Sequence, residues 1–133
     1  MQWDDSEHAG FTTGKPWFTV NPRYKEINAK QALADKNSIF YYYKKLIELR
    51  HTEPLLTEGD YQLLLPDSEE IFAYLRTSAR EQWLVVANLS EQEVVVPEIA
   101  PYVHQCKEVK ICNYNKKIDE KLCPYEAFMI KVR

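Results

Sequence analysis

The sequence predicts a mainly β protein, in which an antiparallel β-sandwich follows one amphipathic helix and a long loop rich in aromatic residues. Three observations predict this order. Only residues 35–50 keep an apolar period near 3.6, which is typical of a helix with one buried face. The residues before them contain many aromatic side chains and no regular period. The residues after 59 alternate short strand-forming runs with turn signals about every ten residues.

Length and composition set the limits of what the chain can do. Its 133 residues are 45% hydrophobic and 13% aromatic, which is enough for one core of domain size. A net charge of −3 leaves no basic surface for phosphate backbones, so we expect no nucleic-acid partner. No apolar run approaches the roughly 18 residues of a membrane span, and no signal peptide is recognisable. We therefore expect no membrane partner and a cytoplasmic location.

The first 33 residues are predicted to form a long structured loop, because glycines and prolines interrupt any period. Asn28 is the exception, since its side chain can cap a short helical turn through Leu33. A loop of this length usually lines a functional site or is held by its neighbours. The aromatic residues of this loop are Trp3, Phe11, Trp17, Phe18 and Tyr24.

Residues 35–50 are predicted to form the helix. Asp35 or Asn37 can accept hydrogen bonds from its first backbone N–H groups, and basic residues lie toward the negative end of its dipole. The apolar stripe consists of Ile39, Phe40, Tyr43, Leu46 and Ile47. Burying each such side chain contributes about 1.5 to 3 kcal/mol. We therefore expect the stripe to be at least partly covered, by the chain's own aromatic loop or by another copy of the chain.

The remainder is predicted to form short antiparallel strands. Pro54 prevents the helix from continuing, and Gly59 is available for a turn. Alternation within 71–76 places Ile71, Ala73 and Leu75 on one face of the sheet. The predicted strands are 61–65, 71–78, 82–88, 93–96, 108–113 and 127–132.

The three cysteines are predicted to be reduced packing residues. Cys106, Cys112 and Cys123 form neither an even disulfide set nor a CxxC pair of metal ligands. Free cysteine is commonly a small buried side chain. We expect no disulfide and no metal at these positions.

An acidic group near the N-terminus is the first candidate for chemistry. Asp4, Asp5 and Glu7 precede His8, a composition that could serve a metal site or an acid and base pair. Their spacing matches no strong ligand motif. A solvated polar loop is the favoured interpretation, because unpaired carboxylates are mostly exposed.

The aromatic residues of the loop are the second candidate. Trp3, Phe11 and Trp17 could present flat faces to sugar rings. Anchoring of the loop to a neighbouring core is the favoured interpretation, because such rings bury a large area.

Glutamates near predicted turns are the third candidate. A catalytic pair of carboxylates must face each other across a cleft, and nothing in the sequence places Glu69, Glu70, Glu91 and Glu93 in that way. No GxSxG, phosphate-binding glycine loop, HExxH or zinc spacing is present. The residues alone assign no catalytic, cofactor-binding or metal-binding position.

Three blocks nevertheless carry a family resemblance: MQWDDSEHAGFTTGKPWFTVNPRYKEIN, DKNSIFYYYKKLIELR and PYEAFMIKV. In this order they resemble the C-terminal part of glycoside hydrolase family 13 enzymes of the oligo-1,6-glucosidase type, relatives of trehalose-6-phosphate hydrolases and sucrose isomerases. The resemblance implies that residues 1–52 are the end of a (β/α)8 barrel, namely the loop after its eighth strand and its eighth helix. It implies that residues 53–133 are the C-terminal β-sandwich domain.

The resemblance implies a parent α-glucosidase that hydrolyses isomaltose-type α-1,6 bonds with retention. Such chemistry needs two carboxyl groups about 5 to 5.5 Å apart. The family's three catalytic carboxylates and its calcium site lie on barrel segments that precede residue 1. No catalytic, cofactor-binding or metal-binding residue is therefore carried over to this chain.

We accordingly expect a fragment, either engineered or from a truncated reading frame, with a structural role and no glycosidase activity alone. The alternatives are a carbohydrate-binding module that uses Trp3, Trp17 or tyrosines on the sheet, an interaction module that associates through the apolar face of helix 35–50, and a fragment of a trehalose-6-phosphate hydrolase.

Overall fold

The computed structural model describes residues 1–133, which divide into two compact units, Met1–Ile47 and Glu48–Arg133. Helix α2, Ile39–Thr52, crosses this boundary. None of the helices combines the length and the apolar character needed to cross a bilayer. The chain thus has a helical N-terminal part and a C-terminal part made mainly of antiparallel sheet.

The N-terminal unit consists of two 3-10 turns, Glu7–Gly10 and Pro22–Lys25, then helix α1, Ala29–Ala34, and the first part of α2. The predicted cap is confirmed, because the Asn28 side chain accepts a hydrogen bond from the backbone N–H of Gln31 at 2.9 Å. The predicted long loop thus contains two 3-10 turns and α1, while residues 11–21 between the two turns form neither helix nor strand.

Helix α2 begins and ends later than the sequence predicted. Asp35 accepts a hydrogen bond from the backbone N–H of Asn37 at 2.9 Å, which closes a turn before the helix instead of capping it. The carbonyl of Ser38 accepts the N–H groups of Tyr41 and Tyr42. The helix therefore starts at Ile39, and it continues to Thr52, just before Pro54.

The C-terminal unit contains a five-stranded antiparallel sheet in the order β1-β2-β3-β7-β5 and a two-stranded sheet of β4 and β6. The strands are β1 Asp60–Leu63, β2 Ile71–Thr77, β3 Gln82–Asn88, β4 Val94–Val95, β5 Glu108–Cys112, β6 Lys121–Leu122 and β7 Ala127–Lys131. Every predicted strand overlaps one of these. The sequence missed β6, because two residues are too few to show alternation.

The core lies on one face of the five-stranded sheet. Ile71, Ala73 and Leu75 are buried there as the alternation predicted. A second layer packs on this face and contributes Ile99 and Leu122. Besides β4 and β6, this layer includes a 3-10 turn, Pro97–Ile99, and the short helix α4, Ala100–Val103.

The predicted β-sandwich is found only in part, as one sheet of five strands with a small sheet and short helices. Pro97 and Pro101 lack backbone N–H groups, so the segment that contains them cannot form a long hydrogen-bonded strand. It turns helical instead.

A short helix covers part of the opposite face of the sheet. Helix α3, Leu55–Glu58, lies there, and Leu55 packs in a buried cluster with Trp83 and Met129. Arg76 Nε donates a hydrogen bond to the carbonyl of Leu55 at 3.3 Å. The remainder of this face carries half-exposed rings, which include Tyr61.

The edges of the five-stranded sheet are β1 and β5. Strand β1 has four residues, all exposed. Strand β5 carries a bulge between Val109 and Ile111, where Lys110 pairs with Glu108 at 2.9 Å and with Glu53 at 3.3 Å. Each edge is therefore either short or irregular.

All three cysteines are free, as predicted. Cys106 and Cys112 pack against the core while staying partly exposed, and burial raises the pKa of both thiols. Their role is packing, and a raised pKa disfavours the reactive thiolate.

Candidate functional site

An open apolar groove is the most prominent surface of the N-terminal unit. It encloses about 970 Å³ between α1, the first part of α2 and the residues just before α1. Its lining residues are Met1, Glu26, Ile27, Asn28, Gln31, Ala32, Asp35, Ser38, Ile39, Phe40, Tyr43, Lys44 and Ile47. We call this surface the apolar groove.

The apolar groove contains the predicted stripe of α2 in an uncovered state. Phe40 is 42% exposed, Tyr43 63% and Ile47 54%. The prediction that the chain's own aromatic loop covers this stripe is therefore wrong. The loop residues Trp3 and Trp17 do not line the groove.

Hydrogen bonds connect the segments that line the apolar groove. Asn28 is almost completely buried, and its Nδ2 donates to the carbonyl of Tyr24 at 2.8 Å while its Oδ1 caps α1. Between the helices, Ser38 Oγ donates a hydrogen bond to the carbonyl of Ala32 at 2.6 Å. The Tyr41 hydroxyl donates a hydrogen bond to the carbonyl of Leu33 at 3.0 Å. The groove is preformed, as binding sites usually are.

The acidic N-terminal residues stabilise the loop instead of meeting at one point. Hydrogen bonds from the hydroxyl and the backbone N–H of Ser6 lower the pKa of Asp4. A hydrogen bond from Lys30, at 2.9 Å, lowers the pKa of Asp5. No group of three or more His, Cys, Asp or Glu side chains lies close enough to hold a metal ion.

A left-handed turn follows this acidic segment. His8, Ala9 and Gly10 have φ values of 56°, 56° and 73°. The carbonyl of Ala9 accepts the backbone N–H of Trp3 at 3.0 Å. A Cβ placed on Gly10 would lie 3.1 Å from the carboxylate oxygens of Asp4. The turn is strained at two non-glycine residues, a feature that concentrates at functional sites.

A second cavity of about 430 Å³ follows this turn. Its lining residues are Met1, Gln2, Phe11, Thr12, Pro16, Trp17, Phe18, Thr19, Val20 and Asn21. We call it the aromatic cleft. The rings of Trp17 and Phe18 stack at 5.4 Å with 19° between their planes, whereas Trp3 meets Phe11 edge-on at 6.5 Å.

The interpretation favoured from the sequence, that these rings are anchored to a neighbouring core, is wrong for the isolated chain, because the rings are exposed. Trp17 is 93% exposed and Phe18 78%. Trp3 and Phe11 are also more than half exposed. The rings are thus available to a ligand or to a further protein surface.

The sheet carries a smaller aromatic group. Tyr61 lies 5.1 Å from Tyr74, and Phe72 lies 5.3 Å from Tyr74, with ring planes tilted by 37° and 52°. Because the rings are tilted, they do not form one flat platform. Burial raises the pKa of Tyr74.

One buried carboxylate escaped the sequence reasoning. Glu126 is fully buried, its Oε2 accepts the backbone N–H of Cys123 at 2.7 Å and lies 3.1 Å from the ammonium of Lys116. Its Oε1 has no hydrogen-bond partner. The signal was a charged residue directly before an apolar strand, in PYEAFMI.

The glutamates singled out from the sequence are not brought together. Glu93 pairs with Lys121 at 2.9 Å, and Glu91 accepts from the Tyr125 hydroxyl at 3.3 Å. Glu69 and Glu70 are exposed. No facing pair of carboxylates emerges from them.

Two family models match this chain. The model described as Alpha amylase, catalytic domain, matches residues 1–59, and the model described as Maltogenic Amylase, C-terminal domain, matches residues 61–102. The apolar groove and the aromatic cleft therefore lie in the catalytic-domain match, and most strands of the sheet lie in or after the C-terminal match.

Curated relatives match over the whole chain. An oligo-1,6-glucosidase from Bacillus cereus is 48% identical over 100% of this chain and 25% of its own length. A trehalose-6-phosphate hydrolase from Bacillus subtilis is 46% identical over 99% of this chain and 24% of its own. The chain spans about a quarter of the length of these relatives.

Solved structures show the same likeness. An isomaltulose synthase from Klebsiella sp. LX3 has a TM-score of 0.86 at 39% identity, over 99% of this chain and 24% of that one. A trehalose-6-phosphate hydrolase from Bacillus licheniformis has a TM-score of 0.83 at 42% identity, over 98% and 24%. The chain thus belongs to the α-amylase family of glycoside hydrolases, family 13, and corresponds to the C-terminal portion of its oligo-1,6-glucosidase-type members.

Proposed function

We propose that this chain is the C-terminal part of an α-glucosidase that hydrolyses α-1,6-linked, isomaltose-type oligosaccharides, and that its role is structural. In this proposal residues 1–52 complete a catalytic barrel and residues 53–133 form its C-terminal sandwich domain. The chain alone hydrolyses no glucoside. The parent enzyme works in the cytoplasm, a location with which three free cysteines are compatible.

The apolar groove is the observation that carries this proposal. Phe40, Tyr43 and Ile47 remain open on a preformed surface, within the segment that matches the catalytic-domain model. A single protein surface rarely exposes so many large apolar side chains together unless another surface covers them. The remainder of a catalytic domain is the covering surface that this match supports.

Reconstitution tests the proposal. The chain is expressed alone and together with the portion of the Bacillus cereus relative that lies outside the matched quarter. We expect no hydrolysis of isomaltose or p-nitrophenyl α-glucoside by either piece and measurable hydrolysis by the pair. Hydrolysis by this chain alone, or none by the pair, contradicts the proposal.

A matched pair of variants tests the part played by the apolar groove. Phe40→Asp places a charge in the groove and should abolish reconstitution, because a buried unpaired charge is strongly unfavourable. Leu89→Asp changes an apolar residue outside the groove that is also exposed, at 61% against 42% for Phe40, and should leave reconstitution intact. Equal effects of the two variants contradict a role for the groove.

A trehalose-6-phosphate hydrolase is the second candidate parent, because that relative is nearly as similar. The same reconstitution with the corresponding portion of the Bacillus subtilis relative compares the two. Stronger hydrolysis of trehalose 6-phosphate in that pair than of isomaltose in the first pair would favour the second candidate.

Association of two copies through the apolar groove is the alternative to a barrel partner. Light scattering of the chain alone over a range of concentrations separates them. A dimer that Phe40→Asp converts to monomer would support self-association as the way in which the isolated chain covers the groove.

A further inference from the structure

We propose that helix α3 is a lid over Trp83 that opens without unfolding of the sheet, and that Lys110 and Glu53 form the latch that keeps it closed. All of these residues belong to the C-terminal unit. The lid therefore does not depend on which enzyme the chain comes from, and its tests need no hydrolysis.

Few contacts hold the lid on the sheet. It has only four residues, Leu55–Glu58, and Leu55 is the buried one. Leu55 and the half-buried Leu56 pack on Trp83 and Met129. Arg76 adds the hydrogen bond to the carbonyl of Leu55 at 3.3 Å. A segment with so few buried apolar contacts opens at a lower free energy than the core strands.

An open cavity borders the lid. It encloses about 610 Å³ and is lined by Pro54, Leu55, Glu58 and Gly59, together with residues at the turn between β2 and β3. The lid is therefore not packed against protein on that side, and water reaches its edge.

Closure of the lid carries a cost at Trp83. Its side chain is fully buried, and its Nε1–H has no hydrogen-bond partner. A hydrogen bond from Lys131 is the main cause that lowers the pKa of Glu81, and the nearby indole N–H adds to the lowering without reaching hydrogen-bonding distance. Because Glu81 lines the cavity, an open lid gives the N–H access to water. A buried donor without a partner is unfavourable, so another interaction must offset it in the closed state.

The latch supplies that interaction. The bulge in β5 is at Lys110, and bulges commonly redirect a side chain. The Lys110 ammonium lies 3.3 Å from Glu53, which directly precedes the lid, and 2.9 Å from Glu108. It also lies 4.6 Å from the centroid of the Trp83 ring, a favourable cation–π distance. Only 13% of the Lys110 side chain is exposed, so salt screens these attractions less than it screens an exposed pair.

Hydrogen exchange of the Trp83 indole N–H, followed by NMR on the full chain, measures lid opening. Trp83 is the buried one of three indoles, and Trp3→Phe and Trp17→Phe assign its signal. We expect a protection factor at least about tenfold lower than those of the slowest backbone amides of β3, which exchange only when the sheet unfolds. Equal protection factors would mean that lid and sheet open together, which overturns the proposal.

Variants of the latch test its part. Glu53→Gln removes one charge and leaves the ring contacts in place, so it should accelerate indole exchange about fivefold while the β3 amides keep their rates. The double variant with Lys110→Met should exchange no faster than Lys110→Met alone, because both changes remove the same contact. Lys107→Met, at an exposed lysine just before β5, is the control and should have no effect. If Glu53→Gln leaves indole exchange unchanged, or accelerates it only together with the β3 amides, there is no latch.

Gly59→Ala tests the lid while the latch residues stay in place. A Cβ at this position would lie 2.7 Å from the carbonyl oxygen of Leu55 and 3.1 Å from that of Thr77, so the last turn of the lid cannot keep its place. We expect faster exchange of the Trp83 indole, with Gly14→Ala as a control that leaves it unchanged. A Gly59→Ala variant whose indole exchanges as slowly as in the unchanged chain contradicts the lid.

Discussion

The ammonium of Lys116 lies 3.1 Å from the carboxylate of Glu126, which is completely shielded from solvent. Lys116 also pairs with Asp119 at 3.3 Å and donates to the carbonyl of Lys121 at 2.8 Å. One partly exposed cation therefore links a buried charge to the turn before β6. The stability of the C-terminal unit should depend on this link.

Lys116→Met should lower the free energy of unfolding by about 3 kcal/mol, because it leaves a buried carboxylate without its counter-charge. Urea denaturation followed by circular dichroism measures the change. Lys117→Met is the matched control, since Lys117 is exposed and has no ion-pair partner in the structure, and its effect should be below about 0.5 kcal/mol. Equal stabilities of the two variants would show that Glu126 does not need Lys116.

Alkaline pH should destabilise the C-terminal unit through its lysines. Burial acts to lower the pKa of Lys116, but hydrogen bonding to Glu126 and the charges of Glu126 and Asp119 outweigh it, and the pKa is raised above 10.5. The pKa of Lys110 is also raised. Burial acts to lower it, but the hydrogen bonds and charges of Glu108 and Glu53 outweigh burial.

The direction of this pH effect follows from linkage. A lysine with a raised pKa in the folded state stabilises fully below its unfolded pKa, and this stability is lost as pH rises through the folded pKa. Urea midpoints should therefore be steady near pH 8 and fall above about pH 10.5. Lys116→Met should show a smaller fall than the parent chain. If the urea midpoint falls equally in Lys116→Met and in the parent chain, groups other than Lys116 cause the loss of stability at alkaline pH.

Asn28→Ala should melt α1 without unfolding the sheet. The substitution removes the cap on Gln31 and leaves the carbonyl of Tyr24 without its donor, a loss of about 1 to 2 kcal/mol. Hydrogen exchange of the amides of Ala32 and Asp35, which are bonded within this helix, measures the loss. Asn37→Ala, at an exposed position, should leave their exchange rates unchanged. Slow exchange in both variants would contradict the importance of the cap.

Gly10→Ala should destabilise the N-terminal unit by about 1 kcal/mol or more, because φ is +73° there and the new Cβ would press on Asp4. Gly14→Ala is the control, since its Cβ would find only ordinary contact, 3.7 Å from Thr12. Thermal unfolding monitored by tryptophan fluorescence compares them. A Gly10→Ala variant as stable as Gly14→Ala would mean that this turn relaxes freely.

Local patterns predicted the elements better than the arrangement of the second layer. Alternation placed Ile71 and Leu75 on the buried face correctly because the period of a strand is a property of its own residues. The cap at Asn28 was equally local. The second layer is helical where it contains Pro97 and Pro101. These prolines prevent a strand only because they cannot donate hydrogen bonds to a neighbouring strand, and the neighbours of a strand are not visible in the local sequence.

The surfaces were predicted less well for a related reason. The apolar stripe of α2 was recognisable from its period. Whether other residues cover the stripe depends on segments distant in sequence, and the aromatic rings Trp3 and Trp17 do not line the groove that contains it. Glu126 was overlooked because its partner Lys116 is ten residues away, in a turn with no periodic signal. Family resemblance supplied what the local patterns lacked, namely the kind of enzyme from which such a surface comes.

The irregular edges of the sheet restrict how copies of this chain can meet. Strand β1 is too short to template a long ladder, and the bulge in β5 interrupts its hydrogen-bonding row next to the charged Glu108 and Lys110. Such edges disfavour strand-to-strand growth. At high concentration the chain should consequently form discrete assemblies through side-chain surfaces, and fibrils seeded by the sheet should be absent.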